Sequence, residues 1–186
     1  MIAFHFPPFS GSSGVQRALR FVQHLPSFGW EPIVLTASSS AYEHTSDELL
    51  SAIPPGTVVE RAIALDAGRH LAIGGRYPAF MARPDRWMSW QFDAVRRGLR
   101  LCRTLSPHAI WSTYPIATAH IVGAAIHART GRPWIADFRD PMIQDGYPAD
   151  AKTWKKFHEI EETAIRRSTR AVFVTEGAAQ TYRKRY

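Results

Sequence analysis

The sequence predicts an α/β domain: a mostly parallel sheet with helices on both faces. Three observations carry this. Short apolar runs alternate with stretches of helical apolar spacing along nearly the whole chain. The first run ends at a double proline, passes through the small-residue loop Ser10-Gly11-Ser12-Ser13-Gly14, and enters a helical pattern. The length of 186 residues suits one domain with a sizeable core.

The first strand, residues 2–6, stops at Pro7-Pro8 because neither proline supplies an N–H to a ladder. Ser12 or Ser13 caps the next helix, whose inward stripe is Val15, Leu19, Val22 and Leu25 and whose stop is Gly29. Residues 31–36 read as a second strand. Residues 38–83 are less regular: Ser38-Ser39-Ser40, Pro54-Pro55-Gly56 and Gly74-Gly75 mark loops, with a short strand within residues 57–65. Helical spacing returns at Trp87, Trp90, Val95, Leu99 and Cys102 and breaks at Ser106-Pro107. A strand at 108–112 and a helix at 116–129, ended by Gly131, come next. After a strand at 133–138, an amphipathic helix at 151–168 packs through Trp154, Phe157, Ile160 and Ile165. A last strand at 170–175 leads into a helix from residue 176.

Hydrophobic residues are 45% of the chain and charged ones 21%, an ordinary globular balance. The single cysteine, Cys102, excludes an intramolecular disulfide framework and a multi-cysteine metal site. The chain has no asparagine and therefore no glycosylation sequon. No apolar run approaches the roughly 20 residues of a membrane span, and the start reads as a strand rather than a signal peptide. The expectation is cytoplasmic residence, with peripheral contact at the inner face of the membrane as a further option. A net charge of +7 favours anionic partners without choosing among nucleotides, phospholipid surfaces and nucleic acid.

In parallel sheets, ligands gather beyond the carboxyl ends of the strands. Gly11 and Gly14 permit close ligand approach there, and the N–H groups around Ser12, Ser13 and Gly14 could meet an anion at a helix N-terminus. The loop matches neither Gly-x-Gly-x-x-Gly nor a Walker lysine loop, so a tight structural turn stays open beside a ligand contact. Arg17, one turn on, either pairs on the surface or reaches a phosphate. The second focus is Asp137-Phe138-Arg139-Asp140-Pro141. Strand alternation puts Asp137 and Arg139 on one side and releases Asp140 into the loop. Asp140 is the preferred polar active-site residue and Arg139 its cationic neighbour, against an Arg–Asp pair that merely fixes the loop.

His5 reads as a core histidine that could face the cleft; His108, His120 and His127 read as structural. His158-Glu159 starts no zinc motif and no nucleophile elbow is present, so no metal is expected. The segment 83–90 combines arginines with Trp87 and Trp90, which suits core packing first and acceptor or shallow membrane contact second. No nucleic-acid module is recognisable.

Three quoted stretches together resemble the N-terminal domain of GT-B glycosyltransferases of the retaining family-4-like class. They are residues 4–17, residues 21–25 followed by 29–36, and Trp134-Ile135-Ala136-Asp137-Phe138-Arg139-Asp140-Pro141. The resemblance covers nearly the whole chain. It implies a Rossmann-like three-layer sandwich forming the N-terminal, acceptor-side half of a GT-B fold, with a C-terminal donor-binding domain as its partner. It implies a nucleotide-sugar as co-substrate, no separate cofactor, usually no metal, and a glycan or lipid-linked acceptor. Gly11, Ser12, Ser13 and Gly14 would approach the donor phosphate or transferred sugar, with Arg17 nearby. Arg139 and Asp140 fall where many members place a histidine-containing segment, a residue type this loop lacks. A non-enzymatic nucleotide-binding or interaction domain is the alternative, and no nucleic acid is expected as a partner.

Overall fold

The computed structural model describes residues 1–186. Its strands are β1 (Ile33–Ala37), β2 (Val58–Ala62), β3 (Ile110–Thr113), β4 (Trp134–Phe138) and β5 (Arg170–Phe173). Its helices are α1 (Gly14–His24), the single turn α2 (Ala67–His70), α3 (Trp90–Thr104), α4 (Thr118–Thr130), α5 (Ala151–Arg167) and α6 (Glu176–Arg185). β1 pairs with β2, and β3–β4–β5 pair in that order, all parallel.

The expected first strand is corrected by the structure. Only the chain around Ile2 pairs, bridging in parallel to both Leu35 and Ser112, and the backbone bends at Phe4 and His5. Ile2 N–H donates to Trp111 O at 2.6 Å and Ala3 N–H to Leu35 O at 3.1 Å. The segment therefore lies between β1 and β3 and joins the two paired groups into one surface, ordered β2, β1, N-terminal segment, β3, β4, β5. Its ladder is short because Phe4 and Phe6, 2% and 0% exposed, turn into opposite core layers.

The two faces are covered unequally. A cluster of 27 buried residues lies under α3, α4, α5 and α6, whereas α1 seals a cluster of five: Ala3, Phe6, Ala18, Val22 and Val34. Successive β1 residues Val34 and Leu35 fall in different clusters, as strand alternation requires. Gly98 lets α3 approach α4, since a Cβ there would collide with Ile126 Cδ1 and lie 3.2 Å from Leu35 Cδ2. No helix is long and apolar enough to cross a membrane.

Helix ends follow local chemistry. Asp150 accepts from Thr153 N–H at 2.8 Å at the start of α5, and Thr175 accepts from Ala178 N–H at 3.1 Å at the start of α6. Gly29 and Gly131 hold φ of 75° and 66° after the α1 and α4 segments. The α4 cap comes from elsewhere in the chain: Asp85 Oδ2 accepts from Thr118 N–H at 2.9 Å and from its hydroxyl at 2.8 Å. Burial raises the Asp85 pKa, an effect those two bonds oppose.

Candidate ligand-binding site at the carboxyl edge

The loop after the N-terminal segment is anchored before it reaches its glycines. Pro7 O accepts from Arg61 Nη2 at 2.6 Å, Pro8 O accepts from Ser46 N–H at 2.8 Å, and Ser10 N–H donates to His44 O at 3.2 Å. Beyond these contacts Gly11, Ser12 and Ser13 are exposed, and their N–H groups donate to no protein acceptor. They precede α1, an 11-residue helix whose N-terminal partial positive charge points the same way. Ser12 Oγ accepts from Gly14 N–H at 3.2 Å, so Ser12 supplies the side-chain contact at this helix start.

Gly14 is required by proximity. A Cβ there would lie 2.9 Å from both His5 Nδ1 and Arg139 Nη1. His5 Nδ1 is 3.1 Å from Ser12 Oγ, and its ring stacks on Phe9 at 4.2 Å between centroids. Burial, and then the charge of Arg139, lower the His5 pKa to about 4, so the imidazole is neutral near pH 7. Ser12 Oγ, which also accepts from Gly14 N–H, thus shares one hydrogen bond with His5 Nδ1 whose direction follows the imidazole tautomer.

Arg139 and Asp140 close the other side. Arg139 Nη2 donates to Ser13 Oγ at 2.9 Å, tying the loop after β4 to the start of α1. Its Nε is 3.6 Å from Asp140 Oδ2, and the Asp140 side chain is 59% exposed. Chemically, this gives open amides beside a guanidinium, which suits an oxyanion, and an accessible carboxylate, which suits a hydroxyl proton.

Arg17 is engaged differently. Its Nε and Nη2 donate to Asp137 Oδ2 and Oδ1 at 2.9 and 2.8 Å, and Thr113 hydroxyl donates to Oδ2 at 2.7 Å. Asp137 is fully buried, and the hydrogen bond from Arg17 is the main reason the Arg17 pKa is raised. The pair fastens α1 to β4 beneath the loop.

Thus Gly11, Ser12, Ser13, Gly14, Arg17, Arg139 and Asp140 converge on one edge, with Arg17 one layer below the rest. Thr113 joins the set without any signal in the sequence. His120 sits inside the helix layer, with Nδ1 2.8 Å from Ser112 Oγ, away from the edge. Trp87 packs on Phe4 at 4.9 Å and Trp90 is fully buried, so both tryptophans serve the core. No group of three or more His, Cys, Asp or Glu side chains is placed to hold a metal.

A parallel α/β sheet covered by helices on both faces defines a Rossmann-like domain. Residues 13–186 match the family model described as the glycosyl transferase 4-like domain, and the chain belongs to that family. The match begins inside the loop, after Gly11 and Ser12. Comparison with curated proteins finds no match.

Proposed function

We propose that this domain forms the acceptor side of a glycosyltransferase that moves a sugar from a nucleotide-sugar donor to a glycan or lipid-linked acceptor with retention. A C-terminal donor-binding domain supplies the opposing wall. The observation that carries the reading is the exposed run Gly11–Ser12–Ser13, with its unspent N–H groups at the start of α1. In this reading those amides and Arg139 meet the charge building on the departing nucleotide phosphate, where preorganised donors are most effective. Asp140 faces the acceptor and takes up, or orients, its hydroxyl proton. Neutral His5 holds Ser12, and through it the loop, in the receiving conformation.

The test is a donor and acceptor screen on the full-length protein with identification of the product. Asp140→Asn lowers turnover by about 100-fold or more if Asp140 handles the proton; unchanged turnover removes it from the site. Residues 1–186 alone give negligible transfer. Robust turnover by the purified domain would refute the two-wall reading.

A further inference from the structure

A groove of about 460 Å³ runs over the outer surface of the helix layer, between the start of α3, the length of α4, and α5. β3, β4 and β5 are parallel, so α4 and α5, which each return between two of these strands, run side by side in one direction. Both end just short of the strand that follows, at Thr130 and Arg167. The groove therefore has two distinct ends, one with His120 and Lys156, the other with Ala128 and Arg167. His120 and Ala128 are two turns of helix apart, a span of about 12 Å.

The middle of the groove is apolar: Ala124 and Ala125 of α4 line its floor, Met88 closes the α3 side and Ile160 the α5 side. At one end stands a polar atom with nothing to bond. His120 is 1% exposed and its Nδ1 is 2.8 Å from Ser112 Oγ, which Trp134 Nε1 also reaches at 2.8 Å. Its Nε2 is buried and has no partner within the protein. According to tautomer, that nitrogen is an unused donor or an unused acceptor, and a hydroxyl answers either because it both donates and accepts. Burial lowers the His120 pKa to about 4, so the ring is neutral near pH 7 and the charge of the groove lies on its rim. There Lys156 pairs with Glu159 at 3.0 Å and Arg83 with Asp150 at 3.2 Å. Arg167, at the far end, is exposed and pairs with no carboxylate; Glu162 on the same helix bonds Arg166 instead, at 2.9 Å.

We propose that this groove binds a small amphipathic organic anion. Its apolar body lies over Ala124 and Ala125, a hydroxyl bonds His120 Nε2, and a carboxylate or similar acid group reaches Arg167. A purely apolar molecule would leave Nε2 stranded, whereas a polyphosphate would meet an apolar floor and a single free cation. The site is separate from the loop at residues 11–14, because α1 covers the opposite face of the sheet.

The probe is 6-hydroxy-2-naphthoate, a rigid fluorescent acid with its hydroxyl and carboxylate at opposite ends, titrated with the 186-residue chain at neutral pH and read by fluorescence anisotropy. 2-Naphthoate, which lacks only the hydroxyl, binds about fivefold more weakly, the worth of one hydrogen bond. Arg167→Glu weakens the hydroxy acid by about tenfold, because a favourable ion pair becomes a repulsion of similar size, and leaves 2-naphthol, which has no acid group, unaffected. Ala125→Trp fills the middle of the groove and abolishes binding of all three. Thermal melting of each variant shows whether it remains folded, and the comparison of the two acids uses the unaltered chain, so a folding defect does not mimic it. No binding of the hydroxy acid, equal binding of the two acids, or variants that bind like the parent chain would overturn the proposal. No sugar donor is present in the assay, so this outcome is independent of whether sugar transfer is found.

Discussion

Arg17 and Asp137 are separated by 120 positions in sequence and joined by two hydrogen bonds. Asp137 is fully buried, so its charge depends on Arg17 and Thr113. Removing one partner of a buried pair typically costs about 3–5 kcal/mol, mostly because the other charge is stranded. Arg17 keeps 28% of its side chain exposed, which lets water replace part of the interaction. Arg17→Ala therefore costs about 3 kcal/mol, read as a lower urea midpoint with an unchanged slope. A variant as stable as the parent would free Arg17 for ligand contact. Glu161 plays a similar part for the last helix: it accepts from Ile143 N–H at 3.1 Å, Arg185 at 2.8 Å and Tyr186 hydroxyl at 2.9 Å, and bonds Tyr182 hydroxyl as well.

The elements show which parts of the fold their own residues announce. α4 and α5 were legible because their signals are local: Gly131 ends one, and the spacing of Phe157, Ile160 and Ile165 marks the other. β1 to β5 fall within a few residues of their apolar runs for the same reason. The first strand was not, because its length is set by how Phe4 and Phe6 divide between two core layers, a tertiary matter. The site divides likewise. Gly11–Gly14 and Arg139–Asp140 stand out by type and position, whereas Thr113 and the Asp85 cap depend on contacts across 24 and 33 residues. Close packing of α3 on α4 is the element-scale feature most exposed to test. Gly98→Val drives two methyls toward Ile126 and Leu35 and costs about 1–3 kcal/mol of overpacking. Thermal denaturation reads this, and a melting point equal to that of the parent contradicts the packing described.

For the whole molecule, two histidines set an acid limit. Burial lowers His5 and His120 from the ordinary histidine value of about 6.5 to about 4; Arg139 reinforces the shift at His5, and Asp137 opposes it at His120. Between those values the unfolded chain binds protons that the folded chain refuses, so stability falls as pH drops from about 6.5 toward 4. For His120, fully buried, the loss is on the order of 3 kcal/mol. Urea midpoints measured from neutral pH downward decline through that window. His120→Gln keeps an acceptor for Ser112 without titrating, and it flattens the decline by roughly half. A decline unaffected by that substitution would assign the acid limit to other groups.

The long-range cap on α4 has a consequence for anyone re-engineering the surface. Asp85 ends the long loop that runs from α2 towards α3 and also caps the N-terminus of a core helix. Trimming residues 67–85 to shorten an exposed loop would strip α4 of that cap and α5 of its Arg83 contact, and the domain would lose far more than a surface appendage. A foreign peptide belongs instead between Gly74 and Gly75, where both φ values are positive, no neighbour lies within 4 Å of either Cβ direction, and the Asp66–Arg86 and Arg83–Asp150 pairs that anchor the loop are untouched. A tag grafted there leaves the melting temperature of the domain within a few degrees, whereas the deletion yields a chain that does not fold cooperatively. Comparing the two by thermal denaturation separates the dispensable tip from its indispensable base.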